Sequence, residues 1–291
     1  MNDMKFSIKK SAVLFLFAAF FIGQLRAQES DQGSAIPNTQ VQLALSSPSY
    51  PVTSGDVYSL TYAAGGTPIS YLITVDSSYR IRVSNLGLIN VAGKTYRQLK
   101  QDAETIVSNN YPLSGAQLTM IRPSVFSVYI KGEVTRAVER TTWAMGRLSS
   151  LLNGTFSVYS SKRNITVTSA DGQVKTYDLF KAQRFGDLSQ DPYLRPGDVI
   201  TVNHLDRIVS VFGEVERPDS YELLPGENLR ELIRDYAHGY TSRADTGRIG
   251  LTRYAENNED AGDTIYLTQE EINANYPLQH FDAVYVPSKL P

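Results

Sequence analysis

Val211-Phe212-Gly213-Glu214-Val215-Glu216-Arg217-Pro218-Asp219 ends a β-rich run in a Gly-Glu-Val turn, and the same event has already occurred at Gly132-Glu133-Val134, 81 residues earlier. At that offset Arg136 matches Arg217, Leu148 matches Leu229 and Leu151 matches Leu232. After a three-residue slip the offset becomes 84, pairing Ile165 with Ile249, Thr168 with Thr252, Leu194 with Leu278, Asp198 with Asp282 and Val202 with Val286. Two offsets that persist across distant blocks define an internal repeat. Each copy reads as a β-run into the turn, a short amphipathic helix, a hairpin, then a turn and a closing strand. The helix faces are Leu148, Leu151 and Leu152 in one copy, and Leu229, Leu232, Ile233 and Tyr236 in the other. Two copies of about 80 residues are two small α+β domains, too few and too large for a solenoid.

Upstream of the repeat, Ser54-Gly55-Asp56-Val57 resembles Pro196-Gly197-Asp198-Val199, and His280-Phe281-Asp282-Ala283-Val284 is a degenerate third version. Glycine permits positive φ and aspartate can bond nearby backbone, so the pair makes a sharp entry into a strand. Val57 to Tyr62 alternate as a strand, and Gly65-Gly66-Thr67-Pro68 interrupts it. Ser70 to Val75 and Tyr79 to Val83, joined by Asp76-Ser77-Ser78, are expected to pair as a hairpin. A helix is predicted from Thr95 to about Asn110, with Thr95 and Gln98 at capping-box spacing and Tyr96, Leu99, Ala103, Ile106 and Val107 on one face. Tyr111-Pro112 stops it, and Ala116 to Met120 begins a further strand.

The N-terminus reads as an export signal. Lys5, Lys9 and Lys10 precede an apolar run from Ala12 to Ile22, and Leu25-Arg26-Ala27 ends in a small residue, so cleavage is expected after Ala27. The run is shorter than the roughly 20 residues that span a bilayer. Five of the 11 Phe lie in these first 27 residues, leaving 18 Tyr against 6 Phe beyond them. An aromatic with a polar tip suits positions that are apolar at one end and wet at the other. Without residues 1–27 the chain has 24 basic and 29 acidic side chains, a net charge of −5, which disfavours nucleic acid or anionic lipid as partner. Residues 28–46 carry no sustained period and read as a flexible lead-in.

Catalytic chemistry finds little purchase. There is no Cys, which excludes disulfides, thiolate zinc sites and thiol nucleophiles, and the three His (His204, His238, His280) have no short ligand spacing. The expectation is therefore no catalytic, cofactor-binding or metal residues, and no enzyme. The acidic stretch from Glu256 to Asp263 reads as a solvated hairpin tip or a cation loop, the former favoured because the EF-hand ligand order is missing. Glu270-Glu271 opens a short helix. Trp143, the only Trp, is open to partial core burial or to sugar stacking. Asp171-Gly172 is a hairpin turn. Arg136, Arg140 and Arg147 are open to polymer neutralisation, subunit salt bridges or plain solvation.

Residues 47–124 resemble the polysaccharide biosynthesis/export domain of bacterial outer-membrane polysaccharide export proteins. Tyr50-Pro51-Val52-Thr53-Ser54-Gly55-Asp56 resembles the family's Y-x-(I/L)-x-x-G-D opening, and the stretch from Gly87 through Gly93 to Thr95 resembles its G-x-I-x-(V/L)-x-G-x-(S/T) segment. Residues 125–205 and 206–291 resemble tandem soluble-ligand-binding β-grasp (SLBB) domains. Their V-x-G-E-V-x-x-P-G opening is matched by Val211 to Asp219, including Gly213, Glu214 and Pro218, and echoed by Gly132 and Glu133. Their L-x-P-G-D-V-I-x-V closing is matched by Leu194 to Val202, including Gly197 and Asp198.

The resemblance implies an α+β chain, a small mixed sheet plus helix followed by two β-grasp domains. It implies a periplasmic homo-oligomeric ring associated with the outer membrane of a diderm bacterium, passing capsule or exopolysaccharide and working with an inner-membrane polysaccharide co-polymerase. Two departures shape the expectation: the family's lipobox Cys is missing, and so is its C-terminal pore helix. A separate outer-membrane β-barrel is therefore expected as partner. The alternative is a soluble-ligand or glycan-binding scaffold or sensor in the periplasm.

Overall fold

The computed structural model describes residues 39–253 and 262–289. The expected signal peptide (residues 1–27), the first part of the lead-in and most of the acidic stretch after Arg253 lie outside them.

The first surprise of the chain is a helix, α1 (Thr39–Ser46), where the sequence reads as a flexible lead-in. Ala44 is fully buried in the first core, beside Tyr58, Leu60 and Leu118. Eight residues are too few to hold a helix in water, so docking of the small Ala44 face onto the sheet is what stabilises it. Composition alone does not report such a tertiary effect.

Next come β1 (Val57–Ala64), β2 (Thr67–Thr74), β3 (Arg80–Val83), β4 (Gly87–Asn90), α2 (Tyr96–Asn110) and β5 (Gln117–Arg122). β1 is the centre of a three-stranded sheet, antiparallel to β2 and β5. The expected hairpin between residues 70–75 and 79–83 does not form. Instead β2 folds back on β1 through Gly65-Gly66, and β3 pairs with β4. Both glycines have positive φ, 56° and 85°, which suits a two-residue hairpin turn whose twist matches the strands. The Asp76 carboxylate accepts from the Ser78 and Arg80 backbones, closing a local turn without a ladder behind it. α2 begins at Thr95 with a complete capping box to Gln98 and buries Tyr96, Leu99, Ala103 and Val107.

The repeat follows as two five-stranded mixed sheets. The first copy contains β6 (Val125–Gly132), β7 (Val138–Trp143), α3 (Leu148–Leu152), β8 (Ser160–Thr168), β9 (Val174–Tyr177), α4 (Leu179–Phe185) and β10 (Val199–His204). The second contains β11 (Ile208–Gly213), β12 (Asp219–Glu222), α5 (Leu229–Glu231, continued by a π-helical turn over Leu232–Tyr236), β13 (Ile249–Arg253), β14 (Asp263–Leu267), α6 (Gln269–Asn273) and β15 (Ala283–Val286). Strand order is β7-β6-β10-β8-β9 in one and β12-β11-β15-β13-β14 in the other. In each, the closing strand lies parallel to the opening strand and antiparallel to the third.

The sequence offsets carry the register too. Val128↔Arg140 becomes Val209↔Tyr221, Ile130↔Ile200 becomes Val211↔Val284, and Thr201↔Thr166 becomes Tyr285↔Gly250. Each sheet packs its helix face on one side: Leu148, Leu151 and Leu152 against Val128, Ile130 and Ile200, and Leu229, Leu232 and Ile233 against Val209, Val211 and Val284. The fold is α+β throughout.

Candidate functional site

The Gly-Asp strand entries position the three sheets, and each uses its aspartate differently. In all three the Asp backbone N–H donates to the carbonyl three residues back, and a carboxylate oxygen accepts from that residue's N–H: Thr53 for Asp56, Arg195 for Asp198 and Gln279 for Asp282. The residue before each has positive φ, 90° at Gly55, 84° at Gly197 and 65° at Phe281, so the degenerate third entry forms the same turn without its glycine.

Asp56 is fully buried and accepts four hydrogen bonds. Tyr50 Oη donates at 2.9 Å and Ser124 N at 2.7 Å to one oxygen, while Thr53 N at 2.8 Å and Tyr58 Oη at 3.0 Å donate to the other. Ser124 immediately precedes β6, so this carboxylate ties the first domain to the start of the repeat. Gly55 lies against it: a Cβ there would stand 2.7 Å from Ser124 Oγ. Burial pushes the Asp56 carboxyl above its usual range, against the pull of the four donors. Burial and the neighbouring Asp56 charge push both phenols well above the ordinary tyrosine value.

Asp198 is also buried and raised by burial, and among the described residues its Oδ1 meets no donor. Asp282 instead receives Arg253 on both oxygens, at 2.9 and 2.7 Å. The remaining motif positions serve turns and corners. Gly87, with φ of 141°, opens β4, and Gly93, with φ of 71°, sits in the turn before Thr95. Gly132 and Gly213 end their strands with φ of 92° and 88°, where a Cβ would collide with the carbonyl of Val202 or Val286. Those carbonyls accept the Glu133 and Glu214 N–H groups, both at 2.8 Å. The Glu133 side chain stays exposed, whereas Thr241 and Ser288 hydroxyls donate to the Glu214 carboxylate, and Arg243 sits at 3.3 Å; together they hold it below the usual range. Pro218 is exposed just before β12.

The largest concentration of buried charge joins the two copies. Arg163, on β8, has only 3% of its surface exposed. Its guanidinium donates to Asp178 at 2.8 and 3.1 Å, to Glu227 at 2.6 and 2.9 Å and to the Glu222 carbonyl at 2.8 Å. Asp178 belongs to the first copy, where it also caps α4, and Glu227 to the second. The same guanidinium lies 4.9 Å from the ring centroid of Tyr236 and 5.5 Å from that of Phe180. Burial opposes charge there, but the hydrogen bonds that Arg163 donates to Glu227 and Asp178 outweigh it and hold its proton more tightly than usual. The Glu222 carboxylate accepts from Ser161 Oγ and from Lys162 N at 3.1 Å, with its carboxyl pushed up by burial. Beside this cluster opens a cleft of about 450 Å³, lined by Val158, Lys162, Phe180, Gln183, Tyr221 and Glu222 among others.

Sequence reading missed this junction, because Arg163, Asp178 and Glu227 stand in no motif and are far apart in the chain. A hint existed in one arginine at the start of a strictly alternating strand. Of the other candidates, Trp143 ends β7 half-buried and packs on the core of the first domain, not that of its own copy. Arg147 is held by the Asp191 carbonyl at 2.6 Å and lies over the Tyr193 ring, while Arg140 reaches the Asn153 carbonyl. Thr268 caps α6 with a complete capping box to Glu271. Among the described residues no group of three or more His, Asp or Glu is placed to hold a metal, and no helix is long and apolar enough to cross a membrane.

Residues 208–266, from β11 through β14, match the family model of the SLBB domain. The second copy is thus similar to the SLBB domain over these residues, and the first copy repeats its strand order and register.

Proposed function

We propose that the chain is a periplasmic, ring-forming component of a capsule or exopolysaccharide export machine, a conduit that makes and breaks no bonds. What supports the reading best is the buried hydrogen-bonded coupling of its domains. Asp56 fastens the first domain to the first copy, and Arg163 fastens the first copy to the second with buried, multiply bonded charge. Fixed angles between its domains let every copy present the same surfaces to its neighbours, which favours the closed symmetry of a ring. The SLBB match and the Tyr50-to-Asp56 opening add to it. In this reading the protein meets an inner-membrane polysaccharide co-polymerase below and an outer-membrane β-barrel above, with polysaccharide as cargo.

The test is the assembly state of the mature full chain, purified alone and with its co-polymerase, by light scattering and mass photometry. A closed oligomer of fixed stoichiometry, alone or with the co-polymerase, supports the conduit. A monomer under both conditions favours the second reading, a glycan- or small-ligand-binding scaffold, for which the cleft beside Arg163 is the specific observation.

A further inference from the structure

The outward face of the second-copy sheet carries an aromatic rung that the first copy lacks. Cross-strand register aligns Phe212, Tyr285, Gly250 and Tyr266 on β11, β15, β13 and β14. Their neighbours Val211, Val284, Leu251 and Leu267 face the core, so by strand alternation these four face out. Phe212, Tyr285 and Tyr266 are 44%, 40% and 59% exposed as residues. Phe212 stacks on Tyr285 with centroids 5.2 Å apart. Tyr266 leans the other way, across Gly250: a Cβ at that glycine would lie 3.5 Å from Tyr266 Cε1 and 3.7 Å from Tyr285 Cβ. The missing side chain lets three rings form a shelf across four strands. At the equivalent register the first copy has Lys131, Thr201, Thr166 and Thr176.

The adjacent outward rung is made of hydroxyls. Ser220 pairs with Ser210 and Thr252 with Thr264, each pair of hydroxyl oxygens 2.8 Å apart, with Ala283 between. Within each pair one hydroxyl donates to the other, which leaves a free donor and spare lone pairs facing outward. Neither rung has a charged side chain of its own, and the one guanidinium over the shelf, that of Arg248, lies 5.8 Å from the Tyr266 ring centroid at the β14 end. A flat apolar shelf beside a row of neutral donors and acceptors matches a sugar ring, whose axial C–H face is apolar and whose rim is hydroxyl. Three half-exposed rings offer on the order of 300 Å² of apolar surface, against about 800 Å² per partner in a stable protein interface. The size and the chemistry both favour a glycan over a second protein.

We propose that this face binds an uncharged linear glycan by stacking on the Phe212–Tyr285–Tyr266 shelf, with the hydroxyl rung as its polar guide. The assignment rests on the export reading only for where the glycan comes from; binding stands or falls separately from ring formation.

The full mature chain is titrated with cellohexaose, maltohexaose and mannohexaose, and with hexagalacturonate as charged comparator, by ¹H–¹⁵N NMR and affinity electrophoresis. At least one neutral hexasaccharide is expected to bind. Tyr266→Ala and Tyr285→Ala should each weaken it tenfold or more. Gly250→Val, which displaces the Tyr266 ring while placing a good strand former in β13, should weaken it similarly with the melting temperature preserved. Four outcomes overturn the proposal: no neutral binding, binding of hexagalacturonate alone, unchanged affinity in all three variants, or variants that alter oligomer size or vesicle binding while glycan affinity stays the same.

Discussion

Asp56 shows how one side chain can be both a turn residue and a joint. Its turn role was legible in Gly55-Asp56, since that pair specifies a sharp strand entry. Its four-donor burial was not, because two donors come from phenols six residues before and two residues after, and the fourth from Ser124. The spacing of Tyr50 to Asp56 nevertheless acquires a reason: the Tyr50 hydroxyl satisfies the carboxylate that the turn buries. Tyr58→Phe removes one donor and is expected to cost about 1–3 kcal/mol, and Asp56→Ala, which strands two phenols and two N–H groups, more than Tyr58→Phe, both measured by urea unfolding. A group whose pKa is raised by folding contributes stability at pH below its unfolded value and loses it as pH rises. For Tyr50, Tyr58 and Tyr236 that unfolded value is about 10. Stability should therefore fall above about pH 10, and absorbance at 295 nm should show these phenols ionising only as the chain unfolds. Asp56 acts in the same sense at lower pH: held high by burial, it binds its proton more tightly when folded, so its ionisation costs stability as pH rises and it does not drive acid unfolding.

At the scale of elements, the internal repeat was the strongest signal, because matched offsets constrain register as well as composition. The offsets of 81 and 84 reproduce cross-strand partners in both sheets, and the slip falls between β7 and β8, in the helix-bearing connection. The β2 pairing is not legible in the sequence because Gly65-Gly66 reads as an interruption, whereas two positive-φ glycines make a tight two-residue hairpin. α1 was missed because its only buried anchor is an alanine. The third strand entry offers a clean test. Phe281 is exposed yet sits at φ of 65°, a conformation that costs a bulky side chain about 1–2 kcal/mol. Phe281→Gly should raise stability by roughly 0.5–1 kcal/mol after the added freedom of the unfolded glycine is subtracted, seen as a higher melting temperature.

The whole molecule depends on the charge cluster between the copies. Arg163→Ala leaves Asp178 and Glu227 facing each other in a partly buried site without their cation, and should destabilise the chain by about 3–5 kcal/mol. Arg163→Lys keeps the charge but not the forked geometry that reaches both carboxylates at once, so the angle between the copies should loosen in small-angle scattering. In the export reading, a loosened angle means fewer closed rings and less polymer leaving the cell. The most direct measurement is the distribution of polysaccharide between cell surface and periplasm in a strain deleted for this gene, complemented by the wild-type chain or by the Arg163→Lys variant. The account predicts that deletion strips polymer from the surface and leaves it in the periplasm, that the wild-type chain restores it, and that the variant restores it only in part. Surface polysaccharide unchanged in the deletion strain would contradict it.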